Sequence, residues 1–131
     1  MKNLLFSLAL IIASTATPAL ASDPVFGEWK TEGSNMKEYA GHYLHVRFDA
    51  CGDKVCGTIT RVVGINADIV GKPIIWDMQP RSNGHYNGGT IWAPDRGGTY
   101  FSKMKLTGNR LKVSGCIAGG LLCESQTWRR P

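Results

Sequence analysis

Leu44-His45-Val46-Arg47-Phe48-Asp49 alternates apolar with polar side chains at every step, and this short run decides how the chain is to be folded. A period of two belongs to a β-strand that buries one face and wets the other, so Leu44, Val46 and Phe48 point to a core while His45, Arg47 and Asp49 point to water. Gly52-Asp53 ends the run with a turn signal. The same alternation returns where Leu111 and Val113 are interleaved with Arg110 and Lys112. Thr107-Gly108-Asn109-Arg110 joins that run to the one before it, with two residue types that tolerate positive φ, and predicts a tight hairpin.

Further turn signals recur at intervals of roughly ten to fifteen residues: Gly71-Lys72-Pro73, Ser82-Asn83-Gly84, Pro94-Asp95-Arg96-Gly97-Gly98 and Gly119-Gly120, in a chain with 16 glycines. Between the signals lie eight runs, near residues 26–31, 43–50, 55–63, 73–78, 85–93, 98–107, 110–117 and 122–130. They predict an all-β fold, a closed meander of eight short antiparallel strands. One short helical turn is expected around Ser34 to Ala40.

The first 21 residues carry Lys2, a largely apolar run from Leu4 to Ile12, and Ala19-Leu20-Ala21. A basic start, an apolar stretch too short to span a bilayer and a small-residue site are the parts of a cleavable secretory signal, with cleavage expected after Ala21. The domain is then residues 22–131, long enough for one modest core. The expected location is periplasmic or secreted. No second long apolar run follows, so no membrane-spanning helix is expected, and Ser22 rather than a cysteine at the new N-terminus argues against a lipoprotein anchor.

Export makes the four cysteines candidates for disulfides before metal or redox chemistry. They stand as Cys51-x4-Cys56 and Cys116-x6-Cys123, and three connectivities are open. Local pairing is the simplest, because each pair sits where one strand ends and the next begins; each small loop would restrict the unfolded chain by about 2 kcal/mol. The C-x2-C spacing usual for zinc is absent, and no metal site is expected.

Five stretches carry a resemblance: Gly27-Glu28-Trp29-Lys30-Thr31; Ala50-Cys51-Gly52-Asp53-Lys54-Val55-Cys56-Gly57-Thr58-Ile59; Gly88-Gly89-Thr90-Ile91-Trp92-Ala93-Pro94 with Gly98-Thr99-Tyr100; Leu111-Lys112-Val113-Ser114-Gly115-Cys116; and Gln126-Thr127-Trp128-Arg129-Arg130. In order and spacing they resemble the DUF2147 family of small exported bacterial proteins. The resemblance implies a single lipocalin-like (calycin) β-barrel. One departure is the middle loop, where many relatives look like Asn-Pro-Asp followed by Arg-Pro-Leu and this chain has Asn66-Ala67-Asp68 and Gly71-Lys72-Pro73-Ile74. The lipocalin-like comparison also implies a structural role for Gly27-x-Trp29: the indole would pack against an arginine of the last strand, Arg129 or Arg130, and close one end of the barrel.

Little in the chain points to catalysis. There is no Gly-x-Ser-x-Gly elbow, HExxH helix or phosphate-cradling glycine loop. His42 and His45 stand three apart in an expected strand, on opposite faces, and His85 is near a loop, so the histidines read as solvated or hydrogen-bonded groups. Asp95 or Asp77 with Glu124 is the remaining route to a carboxylate-based hydrolase. The expectation is a non-enzymatic protein without a cofactor.

Binding has better material. Tyr86, Thr90 and Trp92 share a face of the fifth strand, and Glu124, Gln126 and Trp128 share a face of the eighth. Facing inward they would line an aromatic and polar pocket for a small apolar or amphipathic molecule; the same aromatics would serve equally as core. Trp76 belongs to a rim or to the core. The alternative is a disulfide-braced envelope scaffold whose basic outer face meets lipid headgroups, polysaccharide or a protein. The formal charge of +5 falls to +4 when Lys2 leaves with the signal, and basic residues gather late, at Arg96, Lys103, Lys105, Arg110, Lys112, Arg129 and Arg130. Export argues against a nucleic-acid partner.

Overall fold

The structure, a computed structural model, describes residues 22–131. The expected signal peptide, residues 1–21, lies outside the described residues. Eight strands follow one another: β1 (Gly27–Lys30), β2 (Tyr43–Cys51), β3 (Lys54–Val63), β4 (Pro73–Pro80), β5 (His85–Ala93), β6 (Gly98–Thr107), β7 (Arg110–Ile117) and β8 (Leu122–Arg129). Each pairs antiparallel with the next and β8 returns to β1, which closes a barrel. A 3-10 turn, Lys37–Tyr39, occupies the expected helical stretch.

Local chemistry accounts for the turns. Thr107 pairs with Arg110, so the β6–β7 loop is the two residues Gly108-Asn109. Only Gly108 of the two takes a positive φ, 57°, as a hairpin turn with glycine at its first central position requires. Both disulfides are local. Cys51–Cys56 spans the β2–β3 turn, and Cys116–Cys123 joins directly paired residues of β7 and β8.

Because the strands alternate in direction, the two ends of the barrel differ. One end carries the two-residue turns Gly52-Asp53 and Gly108-Asn109, the β4–β5 turn and the chain's N-terminal segment. Here the interior is filled: Val25, Trp29, Val46, Phe48, Val55, Met78 and Leu111 are inaccessible to solvent, and the rings of Phe48 and Trp128 lie 6.0 Å apart. The other end carries the long β1–β2 and β3–β4 loops, the β5–β6 turn and the β7–β8 loop.

The seam between β1 and β8 is short, with the single pair Lys30 and Arg129. Arg130 reinforces it. Its guanidinium lies 3.9 Å from the centre of the Trp29 ring and donates to the carbonyls of Pro24 (2.9 Å), Phe26 (3.1 Å) and Glu28 (3.0 Å). The Trp29 indole N–H donates in turn to the Val25 carbonyl, at 2.8 Å. Residues 23–26 are thereby held as a plug across the filled end. Arg130, not Arg129, occupies this place: alternation puts Arg130 on the Trp128 side of the strand and leaves Arg129 exposed.

Candidate functional site

At the end opposite the plug the barrel holds a cavity of about 890 Å³. Its walls are the inward side chains of the open half of the barrel. Where the filled half is occupied by Trp29, Phe48 and Met78, the open half presents Leu44, Val62, Ile74, Ile91 and Val113, and β7 has a glycine, Gly115, between Val113 and Ile117. A Cβ at Gly115 would lie 3.4 Å from Ile91 and 3.7 Å from Tyr100, so the position faces other wall residues and leaves its own volume empty. Trp128 belongs to both halves, packed on Phe48 and lining the cavity. Its indole N–H donates to Gln126 Oε1 at 2.8 Å, which keeps that part of the wall free of unpaired polar groups.

The rim is polar and tied together. Ser34, in the β1–β2 loop, donates from Oγ to Asp95 Oδ2 at 2.6 Å, across the mouth to the β5–β6 turn. Arg96 forms an ion pair with Glu124 (2.7 Å) and donates to Asn35 Oδ1 (3.1 Å), joining the same two loops to β8. Glu32 accepts a hydrogen bond from the backbone N–H of Thr127. Tyr39, Tyr43 and His42 add aromatic edges, and His42 Nδ1 is sealed from solvent with no hydrogen-bond partner in the protein.

Of the residues singled out in the sequence, Trp92, Glu124, Gln126 and Trp128 line this cavity. Trp76, Tyr86 and Thr90 do not. The cause lies in β5, where the ladders to β4 and β6 break between Tyr86 and Thr90 at Gly88-Gly89. Tyr86 and Gly89 are both buried, so the parity of the strand reverses and Thr90 no longer shares a face with Tyr86. Gly89 is required there, since a Cβ would stand 2.7 Å from the Trp76 carbonyl oxygen of β4. Thr90 pairs with Trp76 outside the cavity lining.

Tyr86 lies at the plugged end, where its hydroxyl donates to Asp23 Oδ1; the same oxygen accepts from the Val25 amide at 2.9 Å. Burial, and then the neighbouring Asp23 carboxylate, raise the Tyr86 phenol above its ordinary value. Burial lowers the Arg130 guanidinium from its ordinary value.

The sequence reading set His42 aside and missed Tyr39, Tyr43 and Arg96 as rim residues. Of the two carboxylate pairs considered there, Asp95 and Glu124 share the rim while Asp77 is outside it. Both rim carboxylates are engaged, Asp95 by the Ser34 hydroxyl and Glu124 by Arg96. Among the described residues no group of three His, Cys, Asp or Glu side chains is placed to hold a metal ion, and no helix is long and apolar enough to cross a membrane.

Comparison with known proteins bears on the fold. Protein HP1028 from Helicobacter pylori, described as belonging to the lipocalin family, is a solved structure that superposes with a TM-score of 0.64 at 18% sequence identity, covering 82% of each chain. No curated protein matches the sequence. The family of uncharacterized proteins conserved in bacteria, DUF2147, matches residues 27–130, from the first residue of β1 to the arginine that closes the seam. The chain belongs to the DUF2147 family, on a lipocalin-like barrel.

Proposed function

We propose that this protein is a periplasmic carrier that holds one small apolar or amphipathic molecule in its open-end cavity, without covalent chemistry. The observation that carries the proposal is the cavity itself: about 890 Å³, walled mainly by aliphatic and aromatic side chains and ringed by a polar rim. That volume is within the range in which pockets enclose most of a small ligand. Leu44, Val62, Ile74 and Val113 would take the apolar part, each square ångström removed from water contributing about 25 cal/mol. The polar end would stay at the rim beside Tyr39, Tyr43 and Arg96.

Native mass spectrometry of the protein purified from its own periplasm tests this against the Gly115→Phe variant, whose ring would enter the cavity. A reproducible non-covalent adduct on the parent protein, absent from the folded variant, is the expected result. A bare parent protein, or an adduct retained by the filled variant, overturns the proposal.

A further inference from the structure

The outer surface is as uneven as the interior. Phe101, Ile117, Leu121 and Leu122 are 64%, 52%, 85% and 62% exposed, and with Ile65 and Val70 they make up the exposed large apolar residues of the described chain. All six belong to the open end. Leu121 lies in the β7–β8 loop and Leu122, the first residue of β8, pairs with Ile117 where the loop begins; Cys116–Cys123 clamps the next pair. Phe101 is on β6, paired with Cys116, so its ring stands beside that clamp. The tip is aliphatic on a rigid support, fully offered to its surroundings.

A strip of charge runs from it along one side of the barrel toward the plugged end. On the outward positions of β6, β7 and β8 stand Lys103, Lys105, Arg110, Lys112 and Arg129. Among the described residues none of the five forms an ion pair, and no carboxylate shares these outward positions. Lys105 donates to the Asn83 carbonyl, and Glu32, bonded to the Thr127 amide, marks the border of the strip.

We propose that this flank docks the barrel on an anionic lipid bilayer, with Leu121, Leu122 and Phe101 entering the interface and the cations of β6 and β7 meeting lipid phosphates. Cations alone would suit any polyanion. Leucines at a hairpin tip, with no polar partner, gain from hydrocarbon and not from a polysaccharide, and the two features are contiguous on one side of the barrel. Docking would also place the cavity mouth at the membrane, since Ile117 and Leu122 line the cavity as well as the outer surface. The docking surface stands independently of the carrier proposal, and a cavity found bare would leave it intact.

The test is flotation of the disulfide-intact protein with vesicles of phosphatidylglycerol and phosphatidylethanolamine, compared with phosphatidylcholine alone. Binding is expected to the anionic vesicles and to weaken with salt. Lys103→Glu and Lys112→Glu should each weaken it by at least about fivefold, the effect of one cation lost at an anionic surface. Leu121→Asp and Phe101→Ser, both outside the cavity lining, should weaken it while the thermal melt stays unchanged. In Leu121→Trp the new indole should be quenched by brominated acyl chains. Failure of the parent protein to float overturns the proposal. So does full binding by Leu121→Asp, or an unquenched Leu121→Trp, either of which would mean that the tip does not enter the bilayer and that charge alone holds the protein to the vesicle.

Discussion

The plugged and open ends of this barrel are built from the same eight strands and hold opposite contents. At the plugged end Trp29, Phe48 and Met78 fill the interior with Val25, and Arg130 donates to three backbone carbonyls. At the open end aliphatic and aromatic side chains wall a cavity, and the rim is held by polar contacts of 2.6 to 3.1 Å among the loops and β8. The difference shows where stability is stored. One half is packed densely enough to hold the fold, which leaves the other free to carry a cavity, long loops and exposed leucines.

The largest expected effect breaks the plugged end. Trp29→Ala removes a fully buried indole together with the surface on which Arg130 stacks, and should cost about 3–5 kcal/mol, a large share of a small domain's total. Leu44→Ala at the open end removes a wall side chain that already borders empty space, so the transfer loss of about 1 kcal/mol comes with little new void. Urea unfolding of the two variants measures the contrast. Equal losses would mean that the open end is packed as well as the plugged one.

A middle-sized effect separates the disulfides. Each closes a loop short enough that its loss should cost about 2 kcal/mol through the unfolded chain, so paired Cys→Ser variants of Cys51–Cys56 and Cys116–Cys123 should unfold at similar urea concentrations. They should differ in vesicle flotation. Releasing Cys116–Cys123 loosens the base of the Leu121-Leu122 tip, whereas Cys51–Cys56 clamps a turn at the far end. Identical flotation by the two variants would remove the rigid tip from the docking account.

The two ends were also unequally legible in the sequence. Alternation in Leu44–Asp49 and Arg110–Val113, with turn signals between runs, led to eight strands whose limits differ from those observed by at most two residues. Gly27-x-Trp29 pointed to the seam through its resemblance, because a large ring and a cation on the terminal strands have few other places to go. The cavity was read less completely. Period-two reasoning assumes an unbroken ladder, and Gly88-Gly89 breaks it, which takes Thr90 off the face of Tyr86. The glycine pair itself was the available signal. The rim was beyond reach for a different reason: Tyr39, His42 and Arg96 sit in or beside loops, where no periodicity says which way a side chain points, and they converge only through closure of the barrel.

The smallest effect sharpens the comparison through pH. Tyr86 and Asp23 tie the plug to β5, and Tyr86→Phe removes that hydrogen bond while keeping the ring, at a cost of about 1 kcal/mol at neutral pH because Asp23 retains the Val25 amide. The ionisation adds a direction. Folding raises the phenol above its ordinary value of 10.0, so the folded protein holds this proton more tightly than the unfolded chain does. The corresponding stability is fully present below that ordinary value and declines as pH rises above it. Thermal melts from neutral to strongly alkaline pH should therefore fall more steeply for the parent protein than for Tyr86→Phe, so that the gap between them narrows. Parallel curves would mean that the phenol ionises as easily in the folded barrel as in the unfolded chain, and that the plug is held by Arg130 and Trp29 without a contribution from Tyr86.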